Sequence, residues 1–232
     1  MRATIYKEDF FMNFFEKIVD KIKVGKTKMM SYIKQTLKKN KFIFNFTTMS
    51  EKKLRFETLQ IHGGYAPDHT LSRGLAIYPT AAYHFKSCDY AANLFELSEA
   101  GNIYTRIHNP TTANYENRVA ALYGGVGALA TSSGMSAILL TVTALAKAGD
   151  NIVTSPYVYG GTHNQFSISL RNLGIEVRFA KDASAEAIEE LIDEKTRFVF
   201  VESMSNPGCV VADIEALAKV AHSHQMPLVV DN

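Results

Sequence analysis

From about residue 110 onward the chain repeatedly changes its hydrophobic period, and this alternation constrains its fold more than any other feature. The pattern predicts a helix over 111–123, a short apolar strand at 128–132, a helix over about 134–147 ending at Gly149, and a strand at 151–154. A helix over about 161–172 closed by Gly174, a strand at 175–179, a helix over 184–194, a strand at 197–202, a helix over 212–224 and a strand at 227–231 follow. Runs such as "RFVFVES" and "PLVVDN" are apolar at successive positions, so both faces of each strand need cover. A mostly parallel sheet between helices supplies it, and the fold class is α/β. We expect one large α/β domain over 111–232, preceded by an irregular arm over 49–110.

Residues 1–48 are of a different character. They carry ten Lys and one Arg against four acids, whereas 49–232 carry 14 basic and 19 acidic residues. The globular part is therefore mildly acidic and unsuited to nucleic acid. Phe10, Phe11, Phe14, Phe15, Ile18, Val19 and Ile22 fall on one helical face, which predicts a basic amphipathic helix. Such a helix can lie on a membrane, bind a partner or act as a transit peptide, but transit peptides favour Arg and avoid acids. The plainer reading is an extension outside the globular part, with Met49 as a second start. No run approaches the roughly 18 apolar residues of a membrane span. Cys88 and Cys209 are isolated thiols, which suggests a reducing compartment, the cytoplasm, and argues against a thiolate metal site.

Ligands of parallel sheets bind at the carboxyl ends of the strands. Strand 128–132 runs into "TSSGMSA", whose free N–H groups at Gly134, Met135 and Ser136 would suit a phosphate, although an N-cap in a tight turn explains the same residues. The stretch is neither GxxxxGK[ST] nor GxGxxG. The next strand leads to Tyr159 before two glycines, an aromatic ring beside backbone that a ligand can approach closely. Strand 197–202 ends at Glu202 and leads to Asn206 in "SNPG", and the last strand ends at Asp231. An anion site, an aromatic plate, an amide and a carboxylate together suit a flat heteroaromatic phosphate with a basic ring nitrogen. Metal and hydrolase patterns are absent: there is no HExxH and no GxSxG, and His222 and His224 point to different helix faces.

The motifs "GNIYTRIHNPTT", "TSSGM", "YGGTHNQF", "VESMSNP" and "PLVVDN", in this order and at these intervals, resemble the cystathionine γ-synthase family of pyridoxal-phosphate enzymes of cysteine and methionine metabolism. "FETLQIHGGYAPD" and "AANLFELSEAGNIYTRIHNPTT" are most similar to its O-acetylhomoserine sulfhydrylase branch. The resemblance covers about residues 55–232 and implies the type I fold of pyridoxal-phosphate transferases. It implies that Asp231 pairs with the pyridine nitrogen, that Tyr159 stacks on the ring, and that the amides of Gly134 and Met135 hold the phosphate. Asn206 would bond the ring's phenolic oxygen, with Glu202 supporting it, and Tyr104 and Arg106 would reach the phosphate of a neighbouring subunit. The implied assembly is a homo-oligomer with shared sites, a tetramer in this family.

The implied reaction replaces the acetyl group of O-acetyl-L-homoserine with sulfide, giving L-homocysteine and acetate in methionine biosynthesis. Alternatives within the family are a γ-synthase or a methionine or cystathionine γ-lyase; Gly161, where methionine γ-lyases tend to carry Cys, leans against the lyase. The lysine that holds the cofactor in this family lies past the "DN" strand. We therefore expect the chain to be the front part of a longer protein, carrying most of the cofactor cradle with Tyr159 as its one candidate catalytic side chain, and inactive by itself. A non-catalytic protein, pairing with a full-length subunit or binding partners through 1–48, is the alternative of another class.

Overall fold

The computed structural model describes residues 54–232; the amphipathic helix expected near the start, and the extension 1–48 that holds it, lie outside the described residues. The chain divides into two compact units at the step from Ala130 to Thr131. Helix 110–123, which the sequence pattern groups with the segments downstream, belongs to the first.

In the first unit the arm is less irregular than expected, because it contains helices α1 (Phe56–His62) and α2 (Cys88–Phe95) ahead of α3 (Pro110–Tyr123). The boundaries of α3 follow from local chemistry. Asn109 caps its N-terminus by accepting a hydrogen bond from the Thr111 N–H, Pro110 occupies the first turn, and Gly124 ends the helix in the left-handed conformation. Polar bonds fasten α3 to the arm: the Asn114 amide donates to the Gly64 carbonyl at 3.1 Å and Arg118 Nε to the Gly63 carbonyl at 2.9 Å. Gly64 combines a φ of +73° with backbone so close to Arg118 that a Cβ would lie 2.3 Å from its nitrogen. Only glycine meets both demands.

The strand expected at 128–132 does not form. Its two alanines have little β-preference, and the Ala130 N–H donates to Glu116 Oε1 at 2.7 Å instead of to a neighbouring strand.

The second unit is the expected parallel α/β layer structure. Helix α4 (Gly134–Leu145) precedes β1 (Asn151–Thr154), and α5 (Gly160–Asn164) passes directly into a π-helical turn at Gln165–Leu170. Then come β2 (Glu176–Phe179), α6 (Ala185–Glu189), β3 (Thr196–Glu202), α7 (Ile214–Ser223) and β4 (Leu228–Asp231). The strands pair in parallel in the order β2-β1-β3-β4. Helix α6 is shorter than the expected 184–194 because Leu191 and Ile192 close tighter turns onto Ile188 and Glu189, and the Asp193 N–H then donates to Thr196 Oγ1.

The strand period of two sorts the core. On β3, Phe198 and Phe200 join Ile138, Val142, Phe166 and Leu170 on one side, while Val199 and Val201 join Ile188, Leu217 and Ala221 on the other. Both faces of β3 are thus covered, which explains its unbroken apolar run. The direction in which successive strands are added reverses across the β1–β3 pair, since β2 lies outside β1 and β4 outside β3. The carboxyl ends of β1 and β3 therefore flank the topological switch point, where open α/β sheets bind ligands.

Candidate cofactor site

Glu202, the last residue of β3, organises this edge. It is 7% exposed, and its Oε1 accepts a hydrogen bond from the Tyr159 N–H at 2.6 Å, linking the loop after β1 to the end of β3. The Asn206 amide lies close enough to the same carboxylate to favour its ionised form. Burial pushes the Glu202 carboxyl above the usual carboxylate range; the Tyr159 N–H pulls against this, and the nearby Asp231 carboxylate adds to it. Asp231 is the register partner of Glu202 across the β3–β4 pair, and its carbonyl accepts from the Ser203 N–H at 2.8 Å. Tyr159, Glu202, Asn206 and Asp231 are thus brought to adjoining strand ends.

Each is presented by its local backbone. Tyr159 stands at the N-cap of α5, 50% exposed, with its ring over Gly161: a Cβ there would lie 2.5 Å from Tyr159 Cε1 and 3.3 Å from Met135 Sδ. Asn206, followed by a cis peptide to Pro207, sits in a loop that Ser205 fastens, its N–H bonded to the Val210 carbonyl and its hydroxyl accepting from the Val210 N–H at 2.9 Å. The Asn206 side chain has no partner among the described residues. Asp231 lies exposed at the end of β4.

At the start of α4, Ser133 accepts from the Ser136 N–H at 3.1 Å, leaving the amides of Gly134 and Met135 without partners among the described residues. Nothing lies within 4 Å of where a Gly134 Cβ would stand, and free amides at a helix start suit an anion. Ser136, grouped with them in the sequence, has its N–H committed to the cap. Gln165, which the sequence pattern did not single out, donates from Nε2 to the Met135 carbonyl at 3.2 Å. Its only trace in sequence is the four-residue step from Gly161, one helical turn.

Tyr104 and Arg106 belong to the first unit. The Tyr104 backbone forms an isolated antiparallel bridge with Ala82, and the Arg106 guanidinium lies 5.5 Å from the centre of the exposed Tyr104 ring. Among the described residues no cluster of side chains suits a metal ion, and no helix is long and apolar enough to cross a membrane.

Comparison with known proteins gives this arrangement a context. The chain is 55% identical over 181 residues to O-acetyl-L-homoserine sulfhydrylase 1 of Thermus thermophilus, an alignment covering 77% of this chain and 43% of the relative. It is 49% identical over 178 residues to homocysteine synthase of Schizosaccharomyces pombe, covering 76% and 42%. Its structure resembles that of an O-acetylhomoserine (thiol)-lyase from Campylobacter jejuni that contains N'-pyridoxyl-lysine-5'-monophosphate, with TM-score 0.75 and 39% identity over 78% of this chain and 44% of that one. The chain spans about two fifths of the length of the curated relatives it matches. The model of the Cys/Met metabolism PLP-dependent enzyme family matches residues 57–232, and the chain belongs to that family.

Proposed function

We propose that the chain forms the cofactor-binding part of an enzyme that replaces the acetyl group of O-acetyl-L-homoserine with sulfide, giving L-homocysteine and acetate. The observation that carries this reading is the gathering of Tyr159 and Asn206 around Glu202, beside Asp231, at the switch point of the sheet. The residues present fit pyridoxal phosphate: unpartnered amides in open space suit its phosphate, an exposed aromatic ring its flat face, an unpartnered amide side chain its phenolic oxygen, and an exposed carboxylate its ring nitrogen.

In this reading Asp231 holds a proton on the ring nitrogen, Gly134 and Met135 bind the phosphate, and Asn206 orients the ring. Tyr159 covers one face and keeps water from it. Glu202 acts through the Tyr159 and Asn206 backbones. Tyr104 and Arg106 of a neighbouring subunit add a phosphate clamp, for which the planar guanidinium fork is suited. When bound, pyridoxal phosphate supplies the electron sink that lets protons leave Cα and Cβ and acetate leave Cγ of the substrate. Gly161, where the resemblance implies Cys in a methionine γ-lyase, leans against the lyase reading. We place the assembled protein, a homotetramer, in the cytoplasm, in keeping with the free thiols of Cys88 and Cys209.

The amine that would hold the cofactor covalently is not supplied by the lysines of the second unit. Lys147 and Lys195 precede β1 and β3, at the opposite edge of the sheet, while Lys219 lies within α7 and Lys181 follows the outer strand β2. The 232-residue chain is therefore expected to form no homocysteine from O-acetylhomoserine and sulfide. Incubated with pyridoxal phosphate and reduced with borohydride, it should show no stoichiometric label on any single lysine. Stoichiometric labelling of Lys147, Lys181, Lys195 or Lys219 would overturn this placement of the site.

A further inference from the structure

Helix α4 and the helix after β1 carry the two ends of the candidate cradle. The first presents the Gly134 and Met135 amides, and the second begins at Tyr159. Among the described residues one hydrogen bond joins them, from Gln165 Nε2 to the Met135 carbonyl, 3.2 Å long. Gln165 stands where α5 gives way to the π-helical turn Gln165–Leu170, and single π turns accumulate at functional sites. The buried side chains of that turn, Phe166 and Leu170, are fixed in the core. Gln165 Oε1 is buried without a partner, so the side chain is held by its single donated bond. One helical turn before it, Gly161 lies against both the Tyr159 ring and the Met135 sulfur. The Met135 residue is thus held from two sides by the helix that carries Tyr159, its sulfur at Gly161 and its carbonyl at Gln165.

We propose that Gln165 is a positioning residue whose bond to the Met135 carbonyl sets the spacing between the Gly134–Met135 amide pair and the Tyr159 ring, and so governs how tightly and at what tilt pyridoxal phosphate is held. The inference rests on the cofactor reading above. The test uses the full chain, with Gln165→Met, which keeps length but loses the donor, and Gln165→Glu, which keeps shape and cannot donate when ionised. Pyridoxal-phosphate affinity should fall about tenfold in both, the worth of one hydrogen bond. The induced circular dichroism of the bound cofactor at saturation should change in amplitude, while melting in the absence of cofactor falls by no more than the few degrees that one lost hydrogen bond costs.

Unchanged affinity and dichroism would overturn the inference. A larger fall of cofactor-free melting in both variants, or failure of both to fold, would overturn it too, by making Gln165 a structural strut. If the unmodified chain binds no pyridoxal phosphate, the cofactor reading itself fails and takes this inference with it.

Discussion

At Gly161 the absence of a side chain lets an aromatic ring lie down on a helix. A methyl group there would collide with the Tyr159 ring at 2.5 Å and press on Met135 Sδ. The backbone itself has no objection, and alanine at a helical position is favoured over glycine by up to about 1 kcal/mol. Gly161→Ala should therefore leave melting of the cofactor-free protein unchanged or slightly raised while weakening pyridoxal-phosphate binding several-fold. Calorimetry paired with a cofactor titration separates the two effects, and lowered melting with full affinity would contradict this account of the glycine. Tyr159 and Asp231 were legible in the sequence because each follows an apolar strand, where ligands of parallel sheets collect. Gln165 was not, since a lone amide one helical turn after Gly161 looks like any other residue of a helix face.

Among the elements, β1 and β3 are joined at their amino ends by a polar network. Arg197 pairs with Asp150 at 2.6 Å; the Asn151 amide donates to Asp193 Oδ1 at 2.8 Å, and Thr196 Oγ1 donates to Asn151 Oδ1 at 2.7 Å. Arg178 of β2 reaches Asp193 at 2.7 Å. The bond from Arg197 holds the Asp150 carboxyl below its ordinary value of 3.8, outweighing burial. A carboxyl depressed on folding contributes stability that is present above its unfolded-state pKa and is lost as pH falls through the folded-state value. Asp150→Asn should therefore cost about 2 kcal/mol at neutral pH, the scale of a charge-assisted hydrogen bond. The difference should shrink below pH 3.8. Urea denaturation of both proteins across that range measures it, and a gap independent of pH would remove the ion pair as its source. The network was hidden in the sequence, where polar residues beside strands read as turns. The buried strands were readable from "NIVT" and "RFVFVE", whereas "ALATS" imitated a strand by the apolarity of its first three residues alone.

For the whole molecule, the reading that Tyr104 and Arg106 serve a neighbouring subunit has a direct consequence for mixtures. Arg106→Ala and Asp231→Ala each damage a different half of a shared site. Co-expressed in the complete enzyme, the two variants should regain activity in about one quarter of the sites by random mixing, although each alone is impaired. Activity no higher than that of the better parent would mean that each subunit builds its site from its own residues. The parallel sheet was visible from the periodicity, but its strand order and the break at residues 130–131 were not, because the glycines before the break, Gly124, Gly125 and Gly127, read as the stop of α3.

The ion pairs and amide bonds that fasten the strands lie at one edge of the sheet, and the groups proposed to meet the cofactor lie at the other. Adhesion and chemistry are thereby assigned to separate sets of residues. Mutational drift in the loops after β1, β3 and β4 can explore new substrates without loosening the strands that carry them, which makes this half of the protein a scaffold on which selection can act one property at a time.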